Sequence, residues 1–318
     1  AILVSGTGRR SANRLVPPPP HQARATPMIT TLVRSVALPL AEDSVERWRP
    51  YGQFRGPTRT FADMSCHTSV LSPGHHPHPP HVHPQEELLI VLDGEVDIEL
   101  ADSPTDTSSQ RLRLKPGMFS YYPATQHHTI HNAGPKPVTY LMFKWHAGPA
   151  GVGDPLSTSV FEYDVGGAPA GARPMFQKRL FQQATHCLGK LHAHLTTLQP
   201  GAGYDPHVDA YDVAILLLSG EVETLGERVT PIGIIYYSAG ELHGMRNVGN
   251  VPAVYLVFEF HSPAAVAMKG HGRNRPDHAA RKAIHAERYR RKLAKQQRRR
   301  GLMGLVRKVA KAIRKLAR

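Results

Sequence analysis

Four side chains, His81, His83, Glu87 and His128, have the types and spacing to hold one metal ion. The first three lie in His81-Val82-His83-Pro84-Gln85-Glu86-Glu87, and the fourth ends Pro123-Ala124-Thr125-Gln126-His127-His128. In an extended strand, residues i and i+2 face the same side, so His81 and His83 present two imidazoles together while Val82 faces away. Glu87 lies two further pairs of residues along and stays in phase, at the head of the apolar run Leu88 to Leu92. One strand cannot surround an ion, so the last donor must come from another segment, and His128 supplies it if the strands close around the site. Three neutral imidazoles and a carboxylate suit Fe, Mn, Ni, Cu or Zn, and leave one or two positions for water or substrate. By composition alone, His75 to His83, with five histidines among prolines, reads equally as a surface metal-binding tract or a polar loop. The in-phase Glu87 and the second segment favour the enclosed site, with His75, His76 and His78 as loop residues.

The two segments resemble the paired motifs of the cupin superfamily. Gly74, His81, His83, Glu87 and Gly94 follow the first motif with one extra residue after Gly74. Gly117, Pro123, His128 and Asn132 follow the second, with Thr125 where the family usually has glycine. Neither departure falls on a ligand position. The resemblance implies a double-stranded β-helix, or jelly roll, with the metal inside the barrel. The activities it implies run from dioxygenases and decarboxylases to sugar isomerases, epimerases and binding modules, so the fold does not select a chemistry.

A repeat sets the architecture. Tyr140-Leu-Met-Phe143-Lys-Trp145-His146 recurs as Tyr255-Leu-Val-Phe258-Glu-Phe260-His261 at an offset of 115. Gly94-Glu95-Val96 recurs as Gly220-Glu221-Val222 at an offset of 126, which places a deletion in the second copy opposite the polar loop Ser103 to Gln110. Two barrels follow. Of His127, His128 and His131, only His128 has a histidine counterpart, His243, and Asn132 maps onto Asn247. In the first motif His81 maps to His207, His83 to Asp209, Glu86 to Asp212 and Glu87 to Val213. With a valine in place of its glutamate, the second barrel reads as one that has lost its metal and serves as a packing or dimerisation partner. His207, Asp209 and His243 remain there as a weak candidate site of the two-histidine, one-carboxylate kind.

Short β-rich runs, such as Val138 to Phe143 and Val254 to Phe260, punctuated by Gly and Pro, read as all-β. The expected organisation is a disordered segment over 1–41, a barrel with the metal site over 42–150, a second barrel with a decayed site over 160–262, and a basic helical tail over 269–318. Met28 is a candidate natural start. The two cysteines, Cys66 and Cys187, imply no disulfide framework and a reducing, cytoplasmic compartment. No apolar run reaches the length of a spanning helix.

The net charge of +14 is unevenly placed: residues 269–318 hold nineteen Lys or Arg and two acids, so residues 1–268 carry −3. After Gly301, the residues Leu302, Leu305, Val306, Val309, Ile313 and Leu316 recur at helical spacing, with Arg307, Lys308, Lys311, Arg314, Lys315 and Arg318 on the other face. This pattern predicts an amphipathic helix over 302–318 that lies on an anionic membrane surface. Docking of the stripe on a barrel or on a second subunit of a homo-oligomer is the alternative. Nucleic acid is the least favoured partner, because Tyr289 alone is available for stacking and no nucleic-acid motif accompanies the charge. The expected function is that of a metal-dependent enzyme, a dioxygenase or an isomerase or lyase, acting on a small oxygen-rich molecule, with the protein peripheral on the inner membrane face if the tail binds lipid. The competing reading is a non-catalytic binding or scaffold protein of the bacterial envelope or surface polysaccharide, working through its tail. Full-length protein should co-sediment with anionic vesicles and be released as salt rises, since each basic residue near such a surface contributes about 1 kcal/mol. A chain truncated after His271 should not co-sediment, and equal sedimentation of the two at low salt would exclude the membrane role.

Overall fold

The computed structural model describes residues 27–37, 47–103, 105, 110–166, 173–264, 290–291 and 294–295. The strands of the first half are β1 (Leu32–Ser35), β2 (Trp48–Gly56), β3 (Asp63–Leu71), β4 (Glu86–Asp93), β5 (Val96–Ala101), β6 (Gln110–Leu114), β7 (Met118–Tyr122), β8 (His127–His131) and β9 (Val138–His146). Those of the second are β10 (Ser159–Glu162), β11 (Met175–Gln183), β12 (Lys190–Leu198), β13 (Gly203–Val208), β14 (Asp212–Ser219), β15 (Val222–Thr224), β16 (Glu227–Val229), β17 (Gly233–Tyr237), β18 (Leu242–Asn247) and β19 (Ala253–His261).

Two six-stranded sheets, ordered β10-β7-β4-β9-β3-β2 and β1-β17-β14-β19-β12-β11, carry the architecture. A three-stranded sheet, β6-β5-β8, faces the first, and a four-stranded sheet, β13-β18-β15-β16, faces the second. Inside the first barrel, Leu89, Val91, Tyr140 and Met142 of the large sheet meet Ile98, Leu114 and Ile130 of the small one. Inside the second, Ile215, Leu217, Tyr255 and Val257 meet Val222, Val229 and Met245.

The outer faces of the two large sheets pack on each other. Leu88, Ile90, Phe143 and Trp145 of the first share a core with Ala214, Leu216, Phe258 and Phe260 of the second. Edge-to-face ring pairs cross this interface, Phe119 on Phe258 at 5.2 Å and Trp145 on Phe260 at 5.1 Å. Both faces of β4 and β14 are therefore buried, which is why Leu88 to Val91 and Val213 to Leu217 are apolar without alternation.

The two halves also exchange edge strands. β1 pairs with β17 of the second barrel, Leu32 opposite Tyr236, and β10 pairs with β7 of the first, Ser159 opposite Tyr121. The expectation of disorder over 1–41 is thus corrected at Leu32–Ser35. That segment satisfies the open edge of β17 while Leu32 and Val33 pack on the two neighbouring cores. Similarly, the stretch beginning near residue 160 opens with a strand that belongs to the first barrel's sheet. The predicted helix over 302–318 lies outside the described residues; within 269–318, only Arg290, Arg291, Ala294 and Lys295 are described, and they are helical and exposed. No helix among the described residues is long and apolar enough to cross a membrane.

Each large sheet buries a carboxylate at this interface, and donors from both halves of the chain satisfy it. Glu86, out of phase with Glu87 on β4, is fully buried. It accepts hydrogen bonds from Tyr121 Oη (2.9 Å), Trp145 Nε1 (2.8 Å), Thr185 Oγ1 (2.7 Å) and the Cys187 backbone N–H (3.1 Å). Its repeat counterpart Asp212 accepts from Thr58 Oγ1 (3.3 Å), Thr60 Oγ1 and the Ala239 N–H (3.0 Å). Burial raises the Asp212 carboxyl above the usual range, against these donors. Thr58 and Thr185 sit in matching turns, each hydroxyl oxygen accepting from the backbone N–H three residues on, Phe61 or Leu188, so its own O–H is left for the carboxylate. Thr185→Val should therefore lower the unfolding free energy by about 1–3 kcal/mol, the cost of leaving a buried acceptor short of a donor. Urea denaturation of both proteins at neutral pH measures it.

Candidate metal centre

His81 and His128 face each other across a bridge of two backbone hydrogen bonds, each 3.1 Å, between the loop before β4 and strand β8. His83 completes a trio whose ligand nitrogens all lie within 4.8 Å of one another. Glu87 comes from β4, on the inner face opposite to Glu86, and is 1% exposed. Its Oε1 is 2.9 Å from His83 Nε2 and its Oε2 is 3.2 Å from His128 Nε2. The structure thus brings together His81, His83, Glu87 and His128, whereas His127, one residue away, lies on the other face of β8 and contributes nothing to the trio.

Backbone carbonyls decide what the imidazoles offer. His83 Nδ1 is 2.9 Å from Gln85 O, and His128 Nδ1 is 2.9 Å from Gln126 O. A carbonyl only accepts, so both Nδ1 atoms must carry hydrogen. Each Nε2 then either carries a second proton, as imidazolium, or presents a lone pair. A cation placed between these nitrogens and Glu87 resolves the choice, because it accepts lone pairs from both rings and the carboxylate at once. His81 Nδ1 is buried without a hydrogen-bond partner, beside the ring nitrogens of His83 and His128. A buried imidazole set of this kind, gathered at one carboxylate, fits a metal.

The surroundings favour an ionised Glu87 and a neutral His81, the forms that bind a metal. Burial by itself would raise the Glu87 carboxyl, but hydrogen bonds with His128 and His83 and the ammonium of Lys144 hold it well below the usual range. Lys144 touches Glu87 Oε1 from the neighbouring strand β9. Burial and then its neighbours His78, His128 and His83 push His81 down to about 4. Tyr122 stacks on His128, ring centroids 4.6 Å apart and planes 7° from parallel, while Tyr121 points to the interface and Glu86. Asn132, the last residue of the second motif, is not a donor here: its Nδ2 ties Leu71 O and Lys136 O together, closing the loop between β8 and β9. Gly94 turns β4 into β5 with φ +78°, where any Cβ would meet Pro137 O at 2.9 Å.

A cavity of about 190 Å³ opens beside the cluster. Trp48, His67, His78, Tyr140, Met142 and Lys144 line it, and sequence reasoning missed all six as site residues. Lys144 was nonetheless legible: it pairs directly with Glu87 across β4 and β9 and stands inside the repeated segment Tyr140 to His146. His76 lies in the loop before β4, as expected there; it is also 2.9 Å from Glu99 and forms a further cluster with Glu99 and His131.

The second barrel reproduces part of the arrangement. His207 pairs with His243 across β13 and β18, and Asp209 Oδ2 is 3.5 Å from His207 Nε2 and 3.3 Å from His243 Nε2. The same carbonyl device recurs, His207 Nδ1 at 3.0 Å from Asp205 O and His243 Nδ1 at 3.0 Å from Glu241 O. Tyr237 stacks on His243 as Tyr122 does on His128. Val213 occupies the position of Glu87 and is absorbed in the apolar core.

A family model described as a cupin domain matches residues 67–144, which run from β3 to β9 of the first barrel. Among solved structures, a putative glyoxylate-induced protein from Pseudomonas aeruginosa aligns at 16% identity and TM-score 0.54, covering 80% of this chain and 94% of that one. A salicylate 1,2-dioxygenase from Pseudaminobacter salicylatoxidans aligns at 13% identity and TM-score 0.55, covering 76% and 86%. YhhW from Escherichia coli aligns at 13% identity and TM-score 0.50, covering 69% and 93%. At these identities the likeness is one of fold. Comparison with curated proteins by sequence finds no match.

The Lys144–Glu87 contact yields a direct test. In protein stripped of divalent ions, Lys144→Met should cost about 2–3 kcal/mol of stability, less than for a wholly enclosed pair because solvent reaches part of the lysine. Urea denaturation with a chelator present reads the difference.

Proposed function

We propose that this chain, whose residues 67–144 match a cupin-domain model, is a two-barrel cupin, and that its first barrel is a metal-dependent active site for a small, oxygen-rich, anionic organic substrate. His81, His83, Glu87 and His128 would hold the ion, a first-row divalent metal among Fe, Mn, Ni, Cu and Zn. One observation carries the reading: His83 and His128 both commit Nδ1 to backbone carbonyls and turn Nε2 toward a single buried carboxylate. When bound, such an ion supplies a Lewis acid that polarises a substrate oxygen.

The rest of the work falls to this chain's own side chains. Lys144 is the one cation among the residues lining the cavity, and it would pair with a carboxylate or enolate oxygen of the substrate. Trp48, Tyr140 and Met142 form an apolar wall that excludes water, and the Trp48 indole N–H is spent on Tyr140 Oη at 2.7 Å. His67 lines the cavity outside the ligand set and is the candidate acceptor of a substrate proton at its imidazole. A cavity of about 190 Å³ suits a molecule of modest size. Oxygenation and isomerase or lyase chemistry both use a Lewis acid beside a fixed cation, and a two-barrel fold selects neither. In the second barrel, His207, Asp209 and His243 are a smaller candidate set with one ligand fewer.

Elemental analysis of protein purified without a polyhistidine tag tests the reading. His83→Ala and His128→Ala should each lower the bound transition metal by one equivalent per chain, while His127→Ala should leave it unchanged. Unchanged metal in His128→Ala, or loss in His127→Ala, would overturn the ligand assignment.

A further inference from the structure

We propose that the second barrel binds a divalent first-row metal through His192, His194 and Glu259, a set separate from His207, Asp209 and His243. The two histidines stand at i and i+2 on β12, and Glu259 lies directly across from His192 on β19. Their ligand atoms all fall within 4.8 Å of one another. The alternation of both strands turns this set to the barrel interior, because Leu191, Ala193, Phe258 and Phe260 between them occupy the core shared by the two barrels.

Each imidazole addresses a different oxygen of the carboxylate. His192 Nδ1 is 3.2 Å from Glu259 Oε2, and His194 Nε2 is 3.8 Å from Oε1. The longer separation is beyond a hydrogen bond, yet short enough for two ligands that each sit about 2.0–2.2 Å from one ion. His194 Nδ1 is 2.9 Å from Thr196 Oγ1, which fixes the ring and leaves Nε2 toward the carboxylate. His261 Nε2 also lies 3.0 Å from Oε2. His194 and Glu259 line a cavity of about 230 Å³, so open coordination positions would face a space that a small molecule can enter.

The comparison between barrels gives the set its meaning. In the first barrel the cross-strand pair is Glu87 on β4 with Lys144 on β9; in the second it is Val213 on β14 with Glu259 on β19. The interior carboxylate has moved to the neighbouring strand, and the lysine's position has taken the negative charge. Opposite Glu259, β12 has His192 and His194 where β3 has Ser65 and His67. Loss of the glutamate at the Glu87 position therefore coincides with gain of a carboxylate and an imidazole one strand away.

A purely electrostatic cluster is the competing outcome, with Glu259 held by the imidazoles and by Lys190 Nζ at 3.7 Å. Co(II) distinguishes the two by its visible ligand-field absorption and by the thermal shift it produces. The background protein carries His83→Ala, His128→Ala, His131→Ala and Asp209→Asn, which remove donors of the other three clusters. In that background we expect one equivalent of Co(II) to bind and to raise Tm, and both effects to vanish on adding Glu259→Gln. Should that protein not fold, His192→Gln serves as the second variant, with the same expectation. No Co(II) binding in the background protein would overturn the proposal. So would Co(II) binding that survives Glu259→Gln or His192→Gln, or a loss of Tm in Glu259→Gln that is the same with and without Co(II).

Discussion

Two buried carboxylates hold this molecule's geometry. Glu86 and Asp212 sit at equivalent positions on the outer faces of the large sheets, where a solvent-exposed acid would otherwise be expected. Each is stabilised by neutral donors, part of them supplied by the other half of the chain. An uncompensated carboxylate in such a place is prohibitively costly, so the packing of the barrels and the satisfaction of these acids stand or fall together. The exchanged strands β1 and β10 add a backbone link of the same reciprocal kind.

That interface also explains how the candidate metal centre is held. Glu86 and Glu87 are adjacent, so one faces the interface and the other the barrel interior. Anchoring Glu86 through four donors fixes the start of β4 and with it the direction of Glu87. Trp145, which donates to Glu86, and Lys144, which touches Glu87, are likewise neighbours on β9. Support from behind Glu87 is thus built from the alternation of two strands rather than from a separate layer of residues.

The barrels share this scaffold but differ in the charge they place inside. Stacked tyrosines, carbonyl-fixed imidazoles and the loop-closing asparagines, Asn132 and Asn247, recur in both. What changes is the pair that follows the anchored acid across the sheet: glutamate with lysine in one barrel, valine with glutamate in the other. Because the backbone register is the same, the exchange moves a negative charge by one strand without disturbing the core. A repeat in which the supporting contacts persist while the interior charges are redistributed provides two cavities of different chemistry.

The all-β class, the two-barrel repeat and the grouping of His81, His83, Glu87 and His128 were all legible in the chain itself, because strand alternation and repeat offset are local, periodic properties. Periodicity could say that Glu86 lies out of phase with Glu87. It could not say that the opposite face is covered by another barrel, since that depends on contacts about a hundred residues away in sequence, at Thr185 and Cys187. The strand at Leu32–Ser35 was hidden for the same reason: a short segment of mixed polarity becomes a strand only when an open sheet edge is there to pair with it. Lys144 and Glu259 were visible as a charge reversal in the repeated segment, but only the pairing of β9 with β4 and of β19 with β12 turned that reversal into chemistry. Residue types and their phase along a strand are written in the sequence, whereas which faces are enclosed, and which donors meet across strands, follow from how the sheets pack.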